Sequence, residues 1–144
     1  GGCTLLVSEP KHIRVRVVRS SSCTIRIPEL DLEVKPGSSS TGYVSNVEGV
    51  INRFMDVIIM VTRQAYTDDA DISDINRLKE MHTTLLELKE DPIPTPVTIE
   101  FLDPHGHSQI LHSDAKNREL EEHEFEDLPV GPEPVVFSAE ELIK

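Results

Sequence analysis

The stretch "CTIRIPELDLEV", Cys23 to Val34, constrains the fold more than any other part of the chain, because its apolar positions change step at a proline. Ile25 and Ile27 are odd-numbered, Leu30, Leu32 and Val34 are even-numbered, and Glu29, Asp31 and Glu33 stand among the latter. Successive side chains of a strand point to opposite faces, so an uninterrupted ribbon would leave half of this apolar set in water. Pro28 has no N–H for a ladder, and one extra residue is what moves the period by one. The expectation is a β-bulge or corner at Pro28-Glu29, where a strand leaves one sheet for another while its apolar side stays on the core. Barrels and jelly rolls need such corners.

The rest of the chain reads as strands, then helices, then strands. "CTLLV" (Cys3 to Val7) is short and rich in β-formers, and "IRVRVVRS" (Ile13 to Ser20) alternates apolar residues with arginines expected to face water. "KPGSSSTG" (Lys35 to Gly42) has loop composition. Ser45-Asn46-Val47-Glu48 then has the form of a capping box, with Ser45 as cap and Glu48 reaching back. Val47, Val50, Ile51, Phe54, Val57, Ile58, Val61 and Ala65 follow at helical spacing. Ile72, Ile75, Leu78, Met81, Leu85 and Leu88 form a second such stripe, with Asp71 or Asp74 favourable near its start. The two stripes predict an α-helical hairpin over about 46–90, which "DPIPTP" (Asp91 to Pro96) must end. "VTIEF", the turn "DPHG" and "HSQILH" (Val97 to His112) predict a β-hairpin. An acidic, proline-broken segment at about 114–133 is expected to cover the body or to be partly mobile, before a last strand at Pro134 to Phe137.

Composition limits what such a chain does. Its 144 residues suffice for one core, so a single domain over 1–144 is expected. Ten prolines and the absence of Trp speak against a helical bundle. A formal charge of −12 argues against nucleic acid as a partner, since phosphate neutralisation needs clustered Lys and Arg. The charge is uneven: Lys11, Arg14, Arg16, Arg19 and Arg26 against Glu9 give residues 1–28 a net of +4. Residues 114–144 hold ten acids against Lys116, Arg118 and Lys144, a net of −7, an asymmetry that suits attraction of the chain to itself or to a basic partner. Cys3 and Cys23 are the only cysteines, with no CxxC pair, and fit free thiols in a cytoplasmic protein. "VIIMV" (Val57 to Val61) is far short of the ~20 residues that cross a bilayer, so no membrane role is expected.

These residues resemble the ZPR-type zinc-finger family. Its pattern of an Ile-Pro-Glu-Leu step, a Gly-containing loop, a Thr-Thr-Val-Glu-Gly helix start and a later Asp-Pro-x-Gly-Asn-Ser turn appears here as Ile27-Pro28-Glu29-Leu30, Ser45-Asn46-Val47-Glu48-Gly49 and Asp103-Pro104-His105-Gly106-His107-Ser108, with Ser45-Asn46 and His107 departing from it. The similarity runs over about residues 3–112. The resemblance implies an archaeal-like A-domain, mainly β with inserted helices: an antiparallel double-stranded β helix, or jelly-roll-like sandwich, with an α-helical hairpin. It implies a chaperone or adaptor of translation elongation factor 1-alpha that works with a four-cysteine zinc finger and is not an enzyme. No four-cysteine pattern is present, so this chain is expected to hold no cofactor of its own, and zinc is implied only for a finger upstream of residue 1 or lost.

Several residues are candidates for partner contact. Glu29, Asp31 and Glu33 would put carboxylates every ~7 Å on one strand face, to dock a basic surface, to bind a hard cation, or simply to face water. Met55, Ile59 and Met60 lie off the main helical stripe. They either complete the core, the default for a helix apolar all round, or form a Met-rich patch that holds a client. Glu48 and Asp103 are secondary candidates, explained equally well by a helix cap and a turn. His105, His107 and His112 have a spacing akin to cupin metal ligands, but Leu111 stands where a cupin glutamate belongs. A cupin-like small-ligand or metal-dependent enzyme is therefore the alternative to a binding module, with a mere scaffold for the finger as a third. No nucleophile elbow or phosphate loop supports catalysis.

Overall fold

The computed structural model describes residues 1–37 and 41–127; the expected strand at 134–137 and the end of the acidic segment lie outside them. Eight strands form two antiparallel sheets: β1 (Gly2–Val7), β2 (Arg16–Arg19), β3 (Thr24–Ile27), β4 (Leu32–Val34), β5 (Tyr43–Asn46), β6 (Val97–Leu102), β7 (Gln109–Ile110) and β8 (Lys116–Arg118). One sheet has the order β4-β3-β6-β1-β8 and the other β5-β2-β7. Between β5 and β6 lie α1 (Val47–Thr67) and α2 (Ile72–Glu90), and α3 (Glu122–Asp127) follows β8. The fold is a jelly roll, mainly β with an inserted helical pair, as the pattern of strands, helices and strands requires.

Most of the core is one continuous cluster, with Leu102 and Leu120 forming a small second one. Leu5, Val7, Val17, Ile25, Ile27 and Leu32 from the sheets meet Val50, Ile51, Phe54 and Ile58 of α1 and Leu78, Leu85 and Leu88 of α2. Both helical stripes face inward, α1 against α2, the Pro10–Arg14 3-10 turn and β5. Val57 and Val61 pack at the edge of this cluster.

Two turns exchange their expected roles. Pro28–Leu30 is a 3-10 turn, Asp31 adopts a left-handed conformation (φ 51°), and β4 folds back beside β3 in the same sheet. Ile27 pairs with Leu32 and Ile25 with Val34, so odd residues of one strand share a face with even residues of the next. The change of step is thus a hairpin, not a crossing between sheets: reversing the chain through an even-numbered connection swaps the parity of the inward face. The expected hairpin at Asp103–Ser108 is, conversely, a crossing. β6 pairs with β1 and β3, while β7 pairs with β2 in the other sheet.

Three smaller differences have local causes. Ser45 belongs to β5, and the α1 cap is Asn46, whose Oδ1 accepts from Gly49 N–H at 2.8 Å. A Cβ on Gly49 would overlap Ser45 Oγ, which accounts for the glycine. Residues 10–14 form a 3-10 turn instead of the start of a strand, because Pro10 fixes φ there. Arg14 and Arg16 face water, but Arg19 is buried and donates to the Cys23 carbonyl at 2.8 Å.

Candidate functional site

The acidic row does not exist as a row. Glu29 and Asp31 sit in the hairpin connection and only Glu33 is in a strand. Glu29 spends both carboxylate oxygens on Thr98, accepting from its N–H at 2.8 Å and its hydroxyl at 2.7 Å. Glu33 stands opposite Arg26, whose other neighbour in register is Glu100, so the acids there alternate with a base. A surface of three converging carboxylates for a basic partner or a cation is therefore replaced by a turn clamp and a mixed-charge sheet face.

Asp103 is fully buried and cannot touch a partner. Its Oδ2 accepts from Ser20 Oγ at 2.7 Å, Ser108 Oγ at 2.8 Å and His107 N–H at 3.0 Å. Its Oδ1 accepts from Ser22 Oγ and His105 N–H, both at 2.9 Å. Burial alone would raise the carboxyl, but the hydrogen bonds from Ser20, the His105 amide, Ser108 and Ser22 outweigh it and bring the pKa down to about 2. The carboxylate thereby ties the β2–β3 crossing to the β6–β7 crossing.

The histidines separate. His105 and His107 are exposed at the turn with stacked rings, whereas His112 packs edge-on against buried His12, ring centres 5.6 Å apart. A cupin-like site from His105, His107 and His112 is thus not assembled. Instead His12, His112 and Asp114 bring ligand atoms within 4.8 Å of one another, a group that spacing in the sequence did not reveal. His12 Nδ1 accepts the Ser8 and Glu9 N–H groups, each at 3.1 Å. The ring proton therefore sits on Nε2, which donates to Asp114 Oδ2 at 2.8 Å and offers no lone pair to a cation. This cluster pins the β1–β2 crossing to the β7–β8 crossing. The cysteines suit zinc no better: Cys3 and Cys23 are both buried, and burial pushes the Cys23 thiol up to about 12, whereas zinc takes thiolates.

The outer side of the helical hairpin carries exposed apolar side chains beside two clefts. Met55 is buried in the core, but Ile59 and Met60 are 38% and 56% exposed, contrary to the default of core packing. Ile59 lies where a cleft of about 380 Å³ between α1 and α2 meets one of about 540 Å³ that also touches Met60. Tyr66, 51% exposed, forms one wall of the first, with Lys79 Nζ of α2 5.2 Å from its ring centre. Arg63 and His82 complete a rim of bases around an apolar floor. Glu48 is exposed on the first turn of α1, where a carboxylate complements the helix dipole. Sequence periodicity identified Ile59 and Met60 as off-stripe but gave no sign of Tyr66 or Lys79, which meet only because α2 folds back on α1.

Residues 11–128 match the ZPR1 jelly-roll domain. A ZPR1-like protein of Pyrococcus horikoshii is 35% identical over 130 residues, covering 90% of this chain and 57% of its own length. A ZPR1-like protein of Methanocaldococcus jannaschii is 39% identical over 127 residues, covering 88% of this chain and 61% of its own. The zinc finger protein ZPR1 of Homo sapiens is 31% identical over 118 residues, 81% of this chain but 24% of its own length. The chain thus spans about three fifths of the archaeal relatives it matches.

Proposed function

Since the chain belongs to the ZPR1 family, with that family's jelly-roll domain over residues 11–128, we propose that it is a protein-binding module for translation elongation factor 1-alpha. It acts in the cytoplasm as a chaperone or adaptor, jointly with a zinc finger that residues 1–144 do not supply. The observation that carries this reading is the exposed apolar set Ile59, Met60 and Tyr66, which has no role in the core and borders two clefts. Side chains of this kind are the anchors from which interfaces draw most of their energy. Met60, unbranched and polarizable, adapts to more than one client surface. The net charge of −12 adds a salt-sensitive, long-range attraction to a basic partner, while the Arg63, Lys79 and His82 rim calls for acidic groups where the partner meets the cleft.

A module without nucleotide chemistry of its own acts on a client through differential affinity for the client's states. The test is a pull-down of the nucleotide-free and nucleotide-bound elongation factor by the wild-type protein and by Ile59→Asp and Met60→Asp variants. The reading expects one client state to be preferred, and binding to be lost in the variants while their melting temperatures stay near wild type. Absent binding in every state removes the elongation factor as client, and equal binding in every state removes action through differential affinity. Full binding by both variants moves the interface off the helical hairpin.

A further inference from the structure

A third cleft, unlike the two at Ile59 in its chemistry, lies where β5 and α1 meet the edge of the five-stranded sheet. It encloses about 210 Å³, below the roughly 300 Å³ at which pockets start to hold drug-sized ligands. Ile25, Val34, Val50 and Phe54 contribute its apolar floor, and Arg19, Lys35 and Arg53 its polar wall. Three cations around one small cleft are unexpected in a chain of net charge −12. Among the described residues, neither Lys35 nor Arg53 forms an ion pair with a carboxylate.

Two of the three cations are also fixed in advance. Arg53 lays its guanidinium on the Tyr43 ring, 3.9 Å from the ring centre, and Arg19 approaches the same ring at 5.6 Å. Arg19 is held from behind, its Nη2 donating to the Cys23 carbonyl at 2.8 Å. A stacked guanidinium keeps its in-plane N–H groups available for a planar anion. Holding the cations in place before binding removes much of the ordering cost that a ligand otherwise meets.

We propose that this cleft binds a carboxylate borne on a compact apolar group, the anion on Arg19, Lys35 and Arg53 and the apolar group on Val50 and Phe54. The volume admits one side chain with its carboxylate and excludes a nucleotide. Such a ligand is either the C-terminal apolar residue of a protein chain or a small free carboxylate. The assignment does not rest on the elongation factor reading.

The test uses amide and methyl NMR shifts of the protein during titration with N-acetyl-phenylalanine, its uncharged amide, and a pentapeptide ending in phenylalanine. The carboxylates should shift Tyr43, Val50 and Phe54, and the amide should bind about tenfold more weakly, the loss of one charge-assisted hydrogen bond. Arg53→Gln and Lys35→Gln, both at the cleft wall, should weaken the carboxylates by a similar factor with unchanged melting temperatures. Tighter binding of the pentapeptide identifies a protein C-terminus as the source, and equal binding identifies a small carboxylate. No shifts at these residues, or equal affinity for acid and amide, overturns the proposal. Inorganic phosphate competing as well as N-acetyl-phenylalanine also overturns it, because the apolar floor would then contribute nothing.

Discussion

The connection at Pro28–Asp31 and the connection at Asp103–Ser108 each join a proline to an acid, and they do opposite things. At the first the chain reverses beside itself in one sheet; at the second it leaves one sheet for the other. The difference lies in where the acid goes. Glu29 stays at the surface and clamps Thr98 on the neighbouring strand, whereas Asp103 turns inward and gathers three hydroxyls and two backbone N–H groups. A reversal keeps its backbone groups in a ladder. A crossing takes them out of one, and inside the protein they need another acceptor. The buried carboxylate is that acceptor, and His12 with Asp114 plays a lesser version of the same part at the opposite crossing.

The largest effect expected from this contrast is at Asp103. Asp103→Ala removes the shared acceptor of five donors, one of them in a fully buried hydrogen bond and four in part-buried ones, and should cost about 3 kcal/mol, read as a lower urea midpoint. Ser22→Ala, which removes one of those donors together with its need for a partner, should cost about 1 kcal/mol. If Asp103→Ala matches a surface substitution, the crossing is held by packing alone.

Acid should act through the same residue. A carboxyl lowered from 3.8 to about 2 contributes stability that is present above 3.8 and lost as the pH falls through about 2. Glu124 is lowered to about 2 by its hydrogen bonds from Arg118, at 2.6 and 2.8 Å, and acts in the same window. That pair is at the surface and fades in high salt, whereas the Asp103 contribution persists. In high salt the wild type should therefore lose more of its neutral-pH stability than Asp103→Asn does as the pH falls from 3.8 to about 2, each measured against its own neutral-pH value.

At the hairpin, Glu29→Ala removes two exposed hydrogen bonds to Thr98, and water replaces them, so the expected cost is about 0.5 to 1 kcal/mol. A cost equal to that of Asp103→Ala would make the turn, and not the crossing, the fastening point of the five-stranded sheet.

The same contrast explains what could be read in the sequence. The helices at Val47–Thr67 and Ile72–Glu90 follow from apolar spacing and flanking breakers, because helical hydrogen bonds are local. Strand partners are not local. Alternation identifies Ile25, Ile27 and Leu32 as inward, yet a parity change at a proline is equally consistent with a hairpin and a corner. Only the pairing of Ile27 with Leu32 separates the two. "DPHG" has the residues of a tight turn, and it makes one: the Gly106 N–H bonds to the Asp103 carbonyl at 3.1 Å. The destination of the next strand depends on Ser20 and Ser22, some eighty residues earlier, as partners for Asp103. The binding surface was half legible for a similar reason: Ile59 and Met60 stand off the stripe in α1, while Tyr66 and Lys79 belong to two different helices. Tyr43, which carries Arg53 in the third cleft, lies in a short strand that followed a loop-like stretch and had no alternation to announce it.

The smallest effect expected is at Asp31, the left-handed residue that completes the hairpin connection (φ 51°). Glycine adopts this conformation without steric cost but loses more freedom on folding, so the two terms nearly cancel. Asp31→Gly should change stability by about 0.5 kcal/mol or less, and Asp31→Val, whose branched Cβ opposes positive φ, should cost about 1 kcal/mol. The ordering glycine, aspartate, valine is the signature of a turn limited by backbone conformation. At Asp103 the ordering should depend on the side chain alone, with asparagine, which keeps one acceptor, better than alanine and both far below aspartate. A hairpin whose Asp31→Gly variant unfolds as easily as Asp103→Ala would mean that the Asp31 carboxylate, and not its backbone angle, holds the turn. The line between a reversal that needs only geometry and a crossing that needs a buried acceptor would then no longer separate these two regions.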